Sequence, residues 1–257
     1  MCTLVVGFYP QSHRPLVIAA NRDESPTRPS EPWGFTTTKD GPVIFCPKDV
    51  RGGTWIGCNS AGIFCAITNW DIQEHTRGLM SRGNIVLETL ALVTKEDILR
   101  FWYGLKPKNY NPFNIIAGSQ EWLVNFSCSR DKSNVNLLTA GLHISTGCGL
   151  NTDAVREAHI RKALRDAFND FSSPVSSDAL IKIMSDHNAG EGSEDSVCVH
   201  DEQHRWETRS SAYIEHFDDS FLVKWADCPP CKTTPEQWKA RTVPLYYPPG
   251  THPVGKR

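Results

Sequence analysis

The chain has 257 residues, 39% of them hydrophobic and 22% charged, with a formal net charge of -2. That length fits one large domain or two small ones and can bury a sizeable core without metal or disulfide staples. Near-neutral charge with scattered Lys and Arg excludes the electrostatic footprint of a nucleic-acid binder and a polybasic membrane patch.

No apolar stretch approaches the roughly 18 residues of a membrane span. A secretory signal is not expected either, because Arg22 and Asp23 follow the first apolar runs too soon. The nine cysteines are an odd number and mostly sit inside apolar runs, as in Ile63-Phe64-Cys65-Ala66-Ile67. They read as buried free thiols in a cytoplasmic, reducing setting.

In chain order, residues 3–8 and Leu16-Val17-Ile18-Ala19-Ala20 are apolar runs around a Pro-bounded polar connection, which predicts a hairpin. The second run ends in Asn21-Arg22-Asp23-Glu24, and Pro26, Pro29 and Pro32 then forbid regular structure. Residues 52–58 and 63–69 predict a second hairpin with turn residues Asn59-Ser60-Ala61-Gly62 at its tip and Asn69-Trp70 at its end. Ser81 to Leu90 reads as a helix. Thr94 followed by Asp97 is an N-cap signal for another, ending near Trp102. Phe113–Ala117 and Trp122–Phe126 read as strands.

Thr152 is expected to cap the clearest helix, with Val155, His159, Ile160, Ala163, Leu164, Ala167, Phe168 and Phe171 on one face. Ser177 to Met184 predicts a further helix. Ser196–His200, Thr208–His216 and Phe221–Trp225 predict an antiparallel meander. Strands at both ends with helices between point to one layered α+β domain over residues 1–257. The proline-rich residues 229–257 form its surface-wrapping tail.

Three stretches can carry chemistry. Cys2 becomes the first residue if Met1 is trimmed, with a thiol near pKa ~8.5 beside an α-amine near ~7.7–8.0. That amine can serve as base toward its own side chain. Arg22 and Asp23 can bind an anionic group or hold an ammonium. In an extended strand Arg22 and Glu24 share one face and Asn21 and Asp23 the other, so the four cannot line one pocket unless the strand bends. Asn69 can donate its side-chain N–H to an oxyanion. By contrast, Cys228-Pro229-Pro230-Cys231 has redox or half-metal spacing but stands alone, and His187, His200, His204 and His216 show no fixed ligand spacing. No metal site is expected, and these histidines keep a weak claim as axial ligands for haem.

Together, Met1-Cys2, Ala19-Ala20-Asn21-Arg22-Asp23-Glu24, and Gly52-Gly53-Thr54-Trp55-Ile56-Gly57 leading into Ala66-Ile67-Thr68-Asn69-Trp70 resemble the NRDE family, the family of the transport and Golgi organisation protein 2. Arg82-Gly83, residues 110–117 and residues 196–211 add looser matches. The resemblance implies an N-terminal-nucleophile hydrolase-like fold, a four-layer αββα sandwich of two antiparallel sheets similar to choloylglycine and penicillin V amidases. It implies Cys2 as nucleophile and base, Asp23 holding the α-amine, Asn69 donating to the oxyanion and Arg22 beside the nucleophile. Asn21, Trp70 and Thr146 are expected to contact substrate. The reading is a cysteine amidohydrolase for a linear amide that needs no cofactor; the alternative is a non-enzymatic carrier of haem, acyl-CoA or lipid. Where the amidases carry a second oxyanion asparagine, this sequence reads His143-Ile144-Ser145-Thr146-Gly147, with no asparagine until Asn151. The expected partner is a small amide or acyl ligand, haem in the alternative.

Overall fold

The structure, a computed structural model, describes residues 2–38, 41–70, 76–152, 154–167, 174–187, 195–203 and 206–246, with the side chains of residues 166 and 167 left aside. The expected first hairpin forms from β1 (Cys2–Phe8) and β2 (Leu16–Glu24). They pair antiparallel from Cys2↔Arg22 to Phe8↔Leu16. Alternation along them decides the layering. Leu4, Val6, Phe8, Leu16, Ile18 and Ala20 enter one apolar cluster, while Val5, Val17 and Ala19 enter another.

Two antiparallel sheets result. The first runs β11 (Gly149–Leu150), β10 (Gly141–Thr146), β1, β2, β13 (Trp206–His216), β14 (Ser220–Ala226), β15 (Lys239–Pro244), with β12 (His200–Asp201) attached to β13. The second runs from β3 (Ser30–Thr37) through β4 (Val43–Asp49), β5 (Ile56–Asn59), β6 (Phe64–Asn69), β7 (Phe113–Gly118) and β8 (Leu123–Cys128) to β9 (Ser133–Leu138). Phe45, Ile56, Phe64, Ala66 and Ile116 of the second sheet meet the inner residues of β1 and β2 to make the central core. Each of the Phe and Ile side chains among them contributes about 1.5–3 kcal/mol on removal from water.

Helices cover both outer faces. Ile85, Val86 and Leu90 of α1 (Arg82–Leu90) and Ile98 and Trp102 of α2 (Lys95–Tyr103) pack on Cys65, Ile67, Ile115 and Phe126. The Thr94 hydroxyl accepts from the Asp97 N–H as expected. On the other side, Ile160 and Leu164 of α3 (Val155–Ala167) and Leu180, Ile183 and Met184 of α4 (Ser177–Met184) pack on Val5, Val17 and Ile144. The expected αββα sandwich is therefore the observed architecture.

Four local expectations change. The Pro26–Pro32 segment was expected to lack regular structure, yet β3 begins at Ser30 and includes Pro32. It is an edge strand with a register shift between Glu31 and Gly34, where a missing N–H costs little. Of the Ser196–His200 strand, His200 alone enters β12; the preceding residues turn tightly. α3 starts at Val155, later than a Thr152 cap implies, and the Thr152 N–H instead donates to the Glu157 carboxylate at 2.6 Å. On its stripe Val155 is exposed, and Phe168 and Phe171 lie outside the described residues. Beyond a surface wrap, the tail supplies β15, which pairs with β14 from Ser220↔Pro244 to Trp225↔Lys239.

Candidate active site

At the Cys2 end of the sandwich the two sheets part and leave a cleft of about 820 Å³. Cys2, Arg22, Asp23, Glu24, Asn69 and Trp70 all border it, so five of the sequence-derived site residues converge there with Glu24. Cys2 and Arg22 are register partners, which puts their side chains on the same, inner face of β1 and β2. Asn69 closes β6 on the opposite sheet, and the following Trp70 is fixed by its N–H donating to the Pro112 carbonyl at 3.2 Å.

β2 stays extended, so its polar end divides as alternation requires. Asn21 lies on the helix side, fully buried, its amide donating to the Met184 and Val197 carbonyls at 2.8 and 2.9 Å. It ties α4 to the sheet and does not border the cleft, which corrects its expected substrate contact. Thr146 is corrected in the same way: it shares the helix-facing side of β10 with Leu142 and Ile144 and its hydroxyl accepts from the Cys148 N–H at 3.2 Å. Asp23, at the border, accepts from Arg156 Nη1 at 3.1 Å and from the Thr208 hydroxyl at 2.7 Å. A register shift in β13 between Thr208 and Ser210 brings Thr208 opposite Asp23. Burial pushes the Asp23 carboxyl up, and Arg156 pulls it back.

Arg156 is a residue the sequence reading missed. It sits in the first turn of α3, 4% exposed, and its Nη1 also donates to the Thr3 hydroxyl at 2.8 Å. No local motif marks it, because the partnership spans 133 residues. Arg82, one of the looser family matches, borders the cleft, donates to the Pro112 carbonyl at 2.9 Å, and burial pushes its pKa down to about 10. Its position depends on two glycines in contact. A Cβ on Gly53 would lie 2.8 Å from the Gly83 carbonyl carbon, and the Thr54 N–H donates to the Gly83 carbonyl.

Electrostatically the cleft is rich in guanidinium: Arg22, Arg28, Arg51, Arg77 and Arg82 border it. Arg28 is engaged by Glu24 at 2.9 Å and by Asp49. Arg22 reaches Glu24 no closer than 3.7 Å, and its Nη1 is buried with no hydrogen-bond partner among the described residues. The Trp70 Nε1 is in the same state. Such buried donors are costly unless a partner arrives. Burial pushes the Cys2 thiol up while Arg22 pulls it down.

In the stretch that lacks the second asparagine, Ser145 is buried and its hydroxyl shares a 2.7 Å hydrogen bond with Thr68. Asn151 does not substitute for it. Its Oδ1 accepts from the Ile144 N–H and from Arg161, and its φ of 52° turns the chain out of β11. None of the described histidines borders the cleft. His216 is completely buried and His159 pairs with Asp186 at 2.9 Å; His204 lies outside the described residues. The Cys228/Cys231 pair does not act as a unit, for Cys228 contacts the Thr233 hydroxyl at 3.2 Å whereas the Cys231 sulfur lies 3.5 Å from that of Cys198.

The family model described as transport and Golgi organisation 2 matches residues 1–233. Transport and Golgi organization protein 2 homologs from Bos taurus and Homo sapiens are 30% and 31% identical over 127 and 126 residues, covering 46% of this chain and 45% of each relative. The match thus spans under half the length of those relatives. Among solved structures, a Caenorhabditis elegans N-acylethanolamine-hydrolyzing acid amidase ortholog superposes with a TM-score of 0.57 at 11% identity, covering 92% of this chain and 95% of that one. A variant of the conjugated bile acid hydrolase of Clostridium perfringens gives 0.52 at 11% identity, covering 96% and 97%. At such identity the likeness establishes the fold. Among the described residues no helix is long and apolar enough to cross a membrane.

Proposed function

Since the chain belongs to the transport and Golgi organisation 2 family and has the fold of the N-terminal-nucleophile hydrolases, we propose that it is a cysteine amidohydrolase for a linear amide bearing an anionic group. Cys2 is the nucleophile once Met1 is removed; Met1 itself lies outside the described residues. The observation that carries this reading is the meeting of Cys2, Arg22 with its unpartnered Nη1, Asp23 and Asn69 around one cleft. The hydrolase and amidase names of the two fold relatives set the reaction class proposed.

The freed α-amine takes the thiol proton, and the sulfur attacks the amide carbonyl carbon. Asp23, held by Arg156 and Thr208, orients the resulting ammonium. The developing oxyanion accepts from the Asn69 amide, a contribution of about 3–4 kcal/mol where such a donor is present. The C–N bond then breaks, the ammonium returns its proton to the leaving amine, and water attacks the thioester carbonyl to release the acid. Arg22 receives the anionic group of the substrate in a charge-assisted pair. No cofactor enters these steps.

The test combines intact mass with turnover of a panel of N-acyl amino acids. A mature chain beginning at Cys2, hydrolysis of at least one panel member, and its loss in Cys2→Ala support the proposal. Retention of Met1 removes the base and overturns it.

The Thr68–Ser145 hydrogen bond favours a second reading. With that hydroxyl engaged and the second asparagine missing, the cleft serves a non-enzymatic carrier of haem or of an acyl-CoA or lipid acid. Saturable ligand binding, as a Soret shift or as displacement of a fluorescent acyl probe, with no turnover in either wild type or Cys2→Ala, would favour it.

A further inference from the structure

Away from the cleft, four side chains with metal-binding atoms meet from three separate parts of the chain. His187 follows α4, Cys198 and His200 flank the entry to β12, and Cys231 sits in the turn Pro230–Lys232 of the tail. One donor atom from each lies within 4.8 Å of all the others. The His200 Nε2 is 3.1 Å from the Cys231 sulfur and 3.7 Å from the Cys198 sulfur, and the two sulfurs are 3.5 Å apart. In a tetrahedron with metal–sulfur bonds near ~2.3 Å and metal–nitrogen bonds near ~2.0 Å, the edges are about 3.3–3.8 Å. These three separations lie close to those edges, and the His187 donor lies within 4.8 Å of the other three. The His187 Nδ1 is buried without a hydrogen-bond partner among the described residues. Its ring stacks on that of His200 at 5.1 Å and 23°.

We propose that His187, Cys198, His200 and Cys231 bind one zinc ion as a closed structural site. Two thiolates and two imidazoles form a common zinc donor set, and soft sulfur ligands disfavour magnesium and calcium. Binding displaces one proton from each thiol, so two thiolates balance the 2+ ion and the site is neutral. With four protein ligands there is no open position for substrate, and the ion acts as a clip. It fastens the tail turn and the end of α4 to residues 196–201. That stretch also holds the cleft from behind: the Val197 carbonyl accepts from Asn21, and the Val199 N–H donates to the Thr208 hydroxyl that itself donates to Asp23. The inference does not depend on the hydrolase reading.

The test uses the whole chain, freed of any polyhistidine tag and kept reduced. Elemental analysis should find about one zinc per chain, consistent with a tight structural site. Replacement by cobalt(II) should give the intense visible d–d bands of a tetrahedral site and a thiolate charge-transfer band in the near ultraviolet. Cys231→Ser should weaken the metal affinity by at least about tenfold, and Cys228→Ser, which alters the neighbouring thiol alone, should keep it. The cobalt spectrum of the wild type needs no variant to fold. Substoichiometric metal with no cobalt spectrum overturns the proposal. So does a Cys198–Cys231 disulfide, two hydrogens lighter by intact mass, that persists in glutathione at cytosolic poise.

Discussion

The two ends of β2 solve the same problem in opposite ways. At the Asp23 end, a carboxylate with almost no solvent contact is kept beside Arg156 and under the Thr208 hydroxyl. At the Leu16 end, the register partner His216 is equally buried but meets the Phe221 ring edge-on at 4.4 Å. There burial pushes the imidazole pKa down from 6.5 to about 4, so it sits neutral. Burying a charge needs a partner, whereas burying a titratable group can instead remove its charge. The proposed chemistry sits at the first end, where the buried carboxyl has a guanidinium partner and a cleft opens beside it.

The largest expected effect tests whether that charged end is reactive. Cys2→Ala should lower kcat by about 10⁴-fold or more, as removal of a covalent nucleophile does. Stability should move by only about 1 kcal/mol, read from urea unfolding. Next comes the pairing itself. Arg156→Met leaves Asp23 buried without its cation and should cost about 3–5 kcal/mol of unfolding free energy. Adding Asp23→Asn should restore much of that; failure to restore it would mean that Arg156 acts through packing, and the contrast between the two ends would weaken.

A smaller change is expected across the cleft. Asn69→Ala should reduce kcat by about 10²–10³-fold with KM little altered, because an oxyanion donor acts in the transition state. The smallest effect belongs to the neutral end. The folded His216 pKa lies below its unfolded value, so the unfolded chain binds the extra proton between the two. Its stabilising contribution is complete above pH ~6.5 and is lost as pH falls toward ~4, a change of about 3 kcal/mol. Comparison of unfolding curves across that window should show a shallower pH slope in His216→Phe than in wild type.

The parts of the fold legible in the sequence are those whose signal is local. The apolar runs of β1, β2, β6, β7 and β8 stand out, as do the Thr94 cap and the helical stretches of α1 and α4. The strand β9, Ser-Asn-Val-Asn-Leu-Leu, is mostly exposed at a sheet edge, so composition conceals it. β3 was obscured by its prolines, which an edge tolerates. Cys2, Arg22, Asp23, Asn69 and Trp70, which border the cleft, stand out in the sequence because each lies at or beside a strand end. Asn21 and Thr146 were misassigned because motif membership does not say which face of a strand a residue occupies. Arg156 escaped notice because its partner Asp23 is 133 residues away. His187, His200 and Cys231 stood out singly, but not as one group with Cys198, because the spacing 187, 198, 200 and 231 acquires meaning only when α4, β12 and the tail are brought together.

The strand β15 has a practical consequence for handling this protein. The family match ends at residue 233, six residues before β15 begins. Cutting the chain at that boundary would strip the last strand from the first sheet and leave one edge of Ser220–Ala226 unpaired, its other edge still on β13. That segment, Ser-Phe-Leu-Val-Lys-Trp-Ala, is rich in residues that favour strands. An uncovered strand of this kind recruits a strand from another molecule. A fragment ending at residue 233 is therefore expected to self-associate and precipitate, where a chain retaining residues up to 244 stays dispersed.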